Sequence, residues 1–373
     1  QMKKKIKLIF FHPYSYLGGA DNSLLRLIKK LDLNKFSITF VSLNNSYLKK
    51  HLSKKISFKS LKVSRSIFAI PQLKKIILST NNTKFEKVIL ISNQNFANII
   101  SYFATINISY IKRVFIDRNH IDELNFSKNL KEKFKKSIIK FLMKIIYPKA
   151  DMVIGVSKKL SRDLQFFVKT NVKTIYSPSF DVDIIKKSKK KLKLRNNFKY
   201  IVNVSRFSKR KDHKTTLMAF NIVLRKINKI KLILIGYGPE HKNIISLSKK
   251  LNIYDNVIMI NKTDNPFSYI RRSKLLILTS LYEGFPNILV ESLTIGTPVI
   301  STNMNSGASE ILLNGKGGDL VKLGDYRDLS KKIISFFDSP KKLLKKTDFA
   351  KKKLHRFNTI SHSKIYSEIF NKI

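Results

Sequence analysis

Thr279-Ser280-Leu281-Tyr282-Glu283-Gly284-Phe285-Pro286-Asn287-Ile288-Leu289-Val290-Glu291-Ser292-Leu293 is the stretch from which the rest of the chain can be read. An apolar run of strand character, Lys274 to Leu278, stops at a polar turn that carries Glu283. Pro286-Asn287 then opens a helix, a place that suits proline, and Glu291 follows eight residues after Glu283. A helix N-terminus presents unpaired backbone N–H groups to an anion. Carboxylates bind hydroxyls and N–H groups bind phosphates, so the layout suits a sugar nucleotide.

Outward from this stretch, apolar runs of strand length alternate with longer helical patterns, the mark of a parallel α/β architecture. Candidate strands are Lys7–Phe11, Ser37–Leu43, Lys87–Ile91, Arg113–Ile116 and Met152–Val156. A second series is Tyr200–Val204, Lys231–Ile235, Val257–Ile260, Leu275–Leu278 and Pro298–Ser301. The chain of 373 residues, 43% hydrophobic, is too long for one core and suits two domains of roughly 150–200 residues. We expect a first domain over residues 1–180, a charged linker over 181–198 and a second domain over 199–355. Residues 356–373 read as a terminal helix with apolar Ile365, Ile369 and Phe370, free in a two-domain architecture to cross back onto the first domain.

There is no cysteine, which excludes disulfides and thiolate metal sites. No apolar run approaches the ~20 residues that span a bilayer. The start, Lys3 to Phe11, superficially resembles a signal peptide, but its apolar part is short and His12-Pro13 ends it without a cleavage site. We read it as the first buried strand and expect a cytoplasmic protein, with a place on the inner face of the cell membrane open to it. The net charge is +50, with +26 over residues 1–180 and +24 over the remainder, so it is spread rather than gathered in an arm. Lysine far outnumbers arginine, and two sources stay open: an A- and T-rich genome, or an anionic surface as partner.

In open parallel sheets ligands sit beyond the carboxyl ends of strands, so the strand-to-helix turns take priority. Tyr16-Leu17-Gly18-Gly19 is one, readable as a plain tight turn or as a close approach of backbone to ligand. Asp117-Arg118-Asn119-His120 closes another strand with polar groups that are hard to justify as core. Arg206 and Lys211 follow the first strand of the second series, and a fork and a point charge together suit a pyrophosphate. Gly236-Tyr237-Gly238 is weaker, more often a turn than a cradle. Asp181-Val182-Asp183 imitates a metal-binding Asp-x-Asp but lacks supporting ligands, and we expect no metal site.

The segment Asn129–Tyr147 carries Leu130, Phe134, Ile138, Phe141, Leu142 and Ile145 on one side, with lysines interleaved. It reads either as an amphipathic helix covering the sheet, or as a helix at an anionic membrane surface, with Ile139, Met143 and Ile146 as a second apolar strip.

Together these pieces resemble a retaining glycosyltransferase of family 4, of the kind that builds bacterial surface polysaccharides and lipid-linked glycans. The resemblance covers most of residues 150–322, on Val153 to Leu160, Ile201 to Arg206 with Lys211, Glu283 to Glu291, Pro298 to Thr302 and Gly307 to Leu312. Two places depart from the family's commonest form: Lys274, where Asp is frequent, and the Asp117-Arg118-Asn119 run. The resemblance implies a GT-B fold, two Rossmann-like parallel-sheet domains facing each other across a cleft, the first for the acceptor and the second for the donor. It implies that Arg206 and Lys211 hold the donor diphosphate, that Glu291 binds the ribose and that Glu283 contacts the transferred sugar. Phe285, Pro286, Asn287 and Ile288 would help on sugar and phosphate, with Gly236 and Gly238 also on the donor side. Gly18 and Gly19 would let the first domain close over the diphosphate, and His120 with Arg118 and Asn119 would line the reaction centre. Implied partners are a nucleotide sugar, most simply UDP-linked, and a glycan or polyprenyl-diphosphate-linked acceptor. No cofactor is implied.

Two other readings are weighed against this one. A sugar-nucleotide epimerase on the same fold would need acid and base side chains around the sugar, and none is identified. A nucleic-acid-binding protein would account for the charge, but the focused basic arm with interleaved aromatics is missing, so we expect no nucleic acid.

Overall fold

The computed structural model describes residues 4–14, 18–44, 47–63, 65–80, 82–127, 129–261, 263–304 and 307–373. Tyr16 and Leu17, at the head of the first glycine turn, lie outside them, as does Lys3. The chain divides into two units: Gln1–Pro178 with Thr359–Ile373, and Ser179–Asn358.

The first unit is a seven-stranded sheet of β1 (Ile6–Phe11), β2 (Phe36–Ser42), β3 (Ser57–Ser60), β4 (Val88–Asn93), β5 (Ile111–Asp117), β6 (Met152–Gly155) and β7 (Lys173–Thr174). Their order is β3-β2-β1-β4-β5-β6-β7, and β1 runs parallel to both neighbours, with Leu8 opposite Ile38 and Ile89. Helices cover both faces, which is why the central strands are apolar at nearly every position instead of alternating. One face packs Ile9, Phe11, Val41, Val88 and Leu90 against Leu73, Ile77 and Ile100 of the covering helices.

The second unit is six-stranded: β8 (Lys199–Val204), β9 (Ile230–Ile235), β10 (Val257–Ile260), β11 (Leu275–Leu278), β12 (Val299–Thr302) and β13 (Asp319–Val321), in the order β10-β9-β8-β11-β12-β13. All its pairings are parallel. Its core gathers Ile201, Leu232, Leu234 and Ile277 with Leu217 and Phe220. Both units are thus Rossmann-like layers, the α/β class expected from the alternating pattern. In each the strand order reverses once, between β1 and β4 and between β8 and β11. Those two crevices are where such sheets bind ligands.

Two elements differ from the sequence reading, and a third, the terminal helix, follows it. The 181–198 stretch lies within the second unit, where residues Asp183–Ser188 form a helix packed on the helices Phe267–Arg272 and Asn287–Ile295. Buried Ile184 and Ser188 anchor it, a signal hidden by the surrounding lysines. Asp181 caps its start, Oδ1 accepting the Asp183 N–H at 3.0 Å.

The helix Leu130–Ile146 is turned over relative to the first of the two expectations. Ile139, Met143 and Ile146 are buried, whereas Leu130, Phe134, Ile138, Phe141 and Ile145 are exposed. Two apolar strips stood on this helix, and the longer one is not the one that covers the sheet.

The terminal helix Thr359–Lys372 belongs to the first unit. Phe370 stands edge-on to Phe10 and Phe36, with centroids 6.5 and 6.0 Å apart. Lys87 Nζ donates to the carbonyl of Asn371 at 2.9 Å.

Candidate functional site

In the second unit, the turns after β8 and β11 flank the point where strand order reverses. They are stitched by their backbones: Leu281 N–H donates to Arg210 O at 2.8 Å, and Thr279 Oγ1 lies 2.9 Å from Lys211 O and from Thr216 Oγ1. Asp212 adopts the left-handed conformation, φ 45°, and caps the helix His213–Leu224 by accepting from Thr215 N at 3.2 Å and Thr215 Oγ1 at 2.6 Å. The turn is therefore fixed on both sides of Lys211.

That fixation brings Lys211 Nζ onto Glu283 Oε1, a contact joining residues 72 apart in sequence. Ser280 Oγ donates to the same oxygen at 3.0 Å. The two side chains are only 11% and 10% exposed, so the pair is largely shut off from water. Burial alone would raise the Glu283 pKa, but the Lys211 and Arg210 charges and the hydrogen bonds from Lys211 and Ser280 hold it below the ordinary value. Burial pushes Lys211 down against the pull of Glu283, and Arg210 pushes the same way. Next to them His213, buried and beside Lys211, is pushed down to about 4 and is neutral at ordinary pH. Its Nε2 lies 3.1 Å from Ser205 Oγ, which donates to Asn203 Oδ1 at 2.7 Å. Arg206, on the same turn, is exposed.

Pro286 and Asn287 begin the nine-residue helix Asn287–Ile295, and Glu291 is buried one turn on. The Asn287 side-chain carbonyl accepts from Ser179 Oγ, and its N–H donates to Phe285 O at 2.9 Å. Phe285 packs edge-on to Phe357, with centroids 5.2 Å apart, and Ile288 is half-buried.

Gly236 and Gly238 have a packing reason. A Cβ on Gly236 would sit 1.9 Å from Ser205 O, and one on Gly238, where φ is +151°, would sit 2.3 Å from Phe207 O. The glycines let the turn after β9 lie directly on the turn that carries Arg206. Gly18 is different, because a Cβ there would meet nothing within 4 Å among the described residues. Gly18 precedes the helix Gly19–Lys30 and donates its N–H to Asp21 Oδ2 at 3.0 Å, while Asp21 Oδ1 holds His12 Nε2 at 2.6 Å.

The polar run after β5 is gathered inside the first unit. Arg118 is buried, its Nε donating to Asn93 Oδ1 at 2.9 Å and its Nη1 to Ser23 Oγ at 2.8 Å. Arg118 Nη2 and Asn93 Nδ2 are buried without a hydrogen-bond partner among the described residues. His120 is buried between two carboxylates: Nε2 is 2.9 Å from Asp163 Oδ2, and Nδ1 is 3.1 Å from Asp122 Oδ2 and accepts the Asp122 N–H at 3.2 Å. Both ring nitrogens therefore have partners within the unit, while Asn119 is half-buried. Asp117 faces inward, taking a hydrogen bond from Tyr147 Oη at 2.7 Å, and Tyr147 accepts from Asn98 Nδ2 at 2.9 Å. Burial pushes Asp117 up to about 7 against the lowering effect of the Tyr147 bond.

Residues 184–353 match the family model for glycosyl transferases group 1. Nearly all of the second unit is thus similar to that family. The chain is 28% identical over 215 residues to the N-acetylgalactosamine-N,N'-diacetylbacillosaminyl-diphospho-undecaprenol 4-alpha-N-acetylgalactosaminyltransferase of Campylobacter jejuni, a match spanning 57% of this chain and 58% of the relative. It is also 28% identical to the capsular polysaccharide biosynthesis glycosyltransferase CapM of Staphylococcus aureus, over 54% of this chain and 56% of that one. These matches span little more than half the length of either relative. The crystal structure of Anabaena HepE in complex with UDP and glucose superposes with a TM-score of 0.80 at 17% identity, covering 98% of this chain and 100% of that one. At that identity the likeness is one of fold, the two-domain GT-B architecture.

In the second unit the structure joins Lys211 to Glu283, seats Glu291 on the helix behind them and leaves Arg206 exposed on the adjoining turn. Sequence reasoning passed over Ser280 and Arg210, which act on the charge state of the pair, and His213, which burial and Lys211 keep neutral. Ser280 lies within the quoted stretch, but its role is recognisable only once the turn folds back on Glu283. In the first unit it passed over His12, Asp21, Asn93 and Asp163, whose partners are distant in sequence or unremarkable in type. Among the described residues, no group of three or more His, Asp and Glu could hold a metal ion, and no helix is long and apolar enough to cross a membrane.

Proposed function

We propose that the protein is a retaining glycosyltransferase that moves a sugar from a UDP-sugar to a lipid-linked or growing bacterial surface glycan. The observation that carries this reading is the buried Lys211–Glu283 pair at the switch point of a unit similar to the group 1 family. A cation held beside a carboxylate gives one group for a phosphate and one for sugar hydroxyls. Exposed Arg206 adds a second cation on the same turn. The Campylobacter relative's name specifies a diphospho-undecaprenol-linked substrate, and the Anabaena structure holds UDP.

In this reading Arg206 and Lys211 hold the donor diphosphate, Glu283 contacts the sugar and Glu291 binds the ribose. Helix-start N–H groups near Phe285, Pro286, Asn287 and Ile288 add to the anion's field. The sugar C1–O bond to the diphosphate breaks as the acceptor oxygen bonds C1 from the same face, and the acceptor proton passes to the departing phosphate oxygen. The two cations neutralise the charge that develops there, the preorganised stabilisation that dominates such transfers. That role asks for no metal ion. Gly18 and Gly19, unencumbered by packing at Gly18, suit a close approach to the diphosphate. His120, with both nitrogens engaged, holds the turn bearing Arg118 and Asn119 rather than acting as a base.

Thermal stabilisation across UDP-, GDP- and ADP-sugars tests the reading, with Arg206→Ala as the partner variant. We expect UDP-sugars alone to raise the melting temperature, and Arg206→Ala to lower transfer at least 100-fold, roughly the loss of one charge-stabilising group, with its own melting unchanged. Stabilisation by no nucleotide sugar, or near-normal turnover in Arg206→Ala, would sink it.

A further inference from the structure

We infer that Arg118 and Asn93 form an oxyanion subsite in the first unit, at the crevice between β1 and β4, for a phosphate or carboxylate of the molecule that receives the sugar. Asn93 ends β4 and Arg118 follows the end of β5, and the two residues are 0% and 5% exposed. The guanidinium is fixed twice, by Nε donating to Asn93 Oδ1 at 2.9 Å and by Nη1 donating to Ser23 Oγ at 2.8 Å. Ser177 Oγ in turn donates to Ser23 Oγ at 2.7 Å, so Arg118 is clamped between β4 and the helix Gly19–Lys30. What remains is Arg118 Nη2 and Asn93 Nδ2, both buried donors without a partner among the described residues. One carbon links Nη2 to Nε, and one links Nδ2 to Oδ1, so the free donors stand beside the same hydrogen bond. A group bearing two or three oxygens spans such a pair.

Charge decides what the missing partner is. Buried polar groups are seldom left unsatisfied, and a buried cation without a counter-charge is costlier still. Among the described residues no carboxylate lies within ion-pair distance of Arg118. Asp21 acts on it through space, but gives Oδ1 to His12 and Oδ2 to the Gly18 N–H. Tyr366 of the terminal helix stays neutral, because burial pushes its pKa up to about 12 against the pull of Arg118. Asn93 and Ser23 supply dipoles only. The counter-charge is therefore left to the ligand, which makes it an oxyanion rather than a water or a neutral hydroxyl. The surroundings agree. Crevices where strand order reverses open beyond the carboxyl ends of the strands, and the helix Gly19–Lys30 starts there, its N-terminus favouring an anion. Gln94, next to Asn93, holds φ 81° and ψ 149°, a strained conformation of the kind that collects at ligand sites.

This deepens the transferase reading and rests on it only for the molecule that carries the anion. Hydrogen exchange at residues 92–98 and 117–120 tests it, with inorganic pyrophosphate, inorganic phosphate or sodium acetate set against chloride of equal ionic strength. We expect slower exchange in both segments, strongest with pyrophosphate for a receiving molecule that bears a diphosphate, and with acetate for one that bears an acidic sugar. Arg206→Ala should keep that protection, since it removes a cation of the second unit. Asn93→Asp, equal in shape, should weaken binding at least tenfold, about the loss of one charge-assisted hydrogen bond, because the new carboxylate pairs with Nε and Nη2 of Arg118. For the same reason Asn93→Asp should raise the melting temperature of the anion-free protein, whereas a merely structural asparagine predicts a fall. Arg118→Gln should lose the protection as well, and if that variant does not fold, Asn93→Asp decides alone. The proposal is overturned by segments that none of the three anions protects, by protection that survives Asn93→Asp, or by an Asn93→Asp protein that melts below the wild type. Unprotected segments in a protein that a UDP-sugar still stabilises sink the subsite and leave the transferase reading standing. Protection by pyrophosphate without stabilisation by any nucleotide sugar does the reverse.

Discussion

Lys211 and Glu283 each stand buried because the other does. Deleting one leaves an uncompensated charge in a dry turn, a loss of about 3–5 kcal/mol for buried pairs. Lys211→Ala should therefore lower the unfolding free energy of the second unit as well as the transfer rate. Lys211→Met combined with Glu283→Leu should recover most of the stability and none of the activity. Chemical denaturation of the two variants checks this, and a fully stable Lys211→Ala would show that the pair is not closed to water. A sequence reader who assigns Lys211 to a phosphate does not see this second role, because the partner lies in another turn. Asp117 supplies the pH counterpart. Its pKa is raised from 3.8 to about 7 in the folded state, so the folded state binds the extra proton between those values. Stability thus falls as pH rises from about 4 to 7 and levels off above, by on the order of 4 kcal/mol for this group alone. Asp117→Asn keeps an acceptor for Tyr147 and should flatten that slope when urea unfolding is followed at pH 5 and pH 8. An unchanged slope would place the charge elsewhere.

At the scale of elements, the turn after β9 owes its two glycines to the turn beneath it. Gly236→Ala adds one methyl group whose nearest neighbour would be a backbone carbonyl, and a carbonyl cannot rotate away as a side chain can. We expect a loss of about 1–3 kcal/mol, as for overpacking, together with weaker stabilisation by a UDP-sugar, because the displaced strand end carries Arg206. A melting curve with and without the sugar nucleotide separates the two effects. The strands were legible for a related reason. Nine of the thirteen strands are interior, largely buried and mostly apolar, and the half-buried edge strand β10 is apolar as well, whereas β3, β7 and β13 are short border strands of four, two and three residues. A strand such as Ser57–Ser60, exposed or half-buried throughout, carries no apolar signature. The 130–146 helix was ambiguous because periodicity finds an apolar strip without telling which strip faces protein. Side-chain partners across sequence, such as His120 with Asp163, have no local signal at all.

For the whole molecule, the boundary between units is crossed twice, after Pro178 and after Asn358. The two crossings are tied at their second-unit ends, where Ser179 and Phe180 both donate to the Phe357 carbonyl, at 3.2 and 2.9 Å. Removing residues 359–373 should leave the second unit's unfolding transition in place and lower that of the first, since Tyr366, Ile369 and Phe370 are buried there. Differential scanning calorimetry with hydrogen exchange on β1 would show it, and an unaltered first unit would mean that the helix is ornamental. The alternation of strand and helix made both sheets readable, but no feature of the last fifteen residues says which sheet receives them.

That return has a bearing on how the protein is made. A ribosome releases the first 178 residues with Phe10 and Phe36 still lacking their cover, and 180 more residues are translated before the covering helix begins. The half synthesised first is therefore the half completed last. During that interval its bare strand surface is a natural client for a chaperone, and a nonsense codon between residues 358 and 366 would strand a finished second half on an unfinished first one.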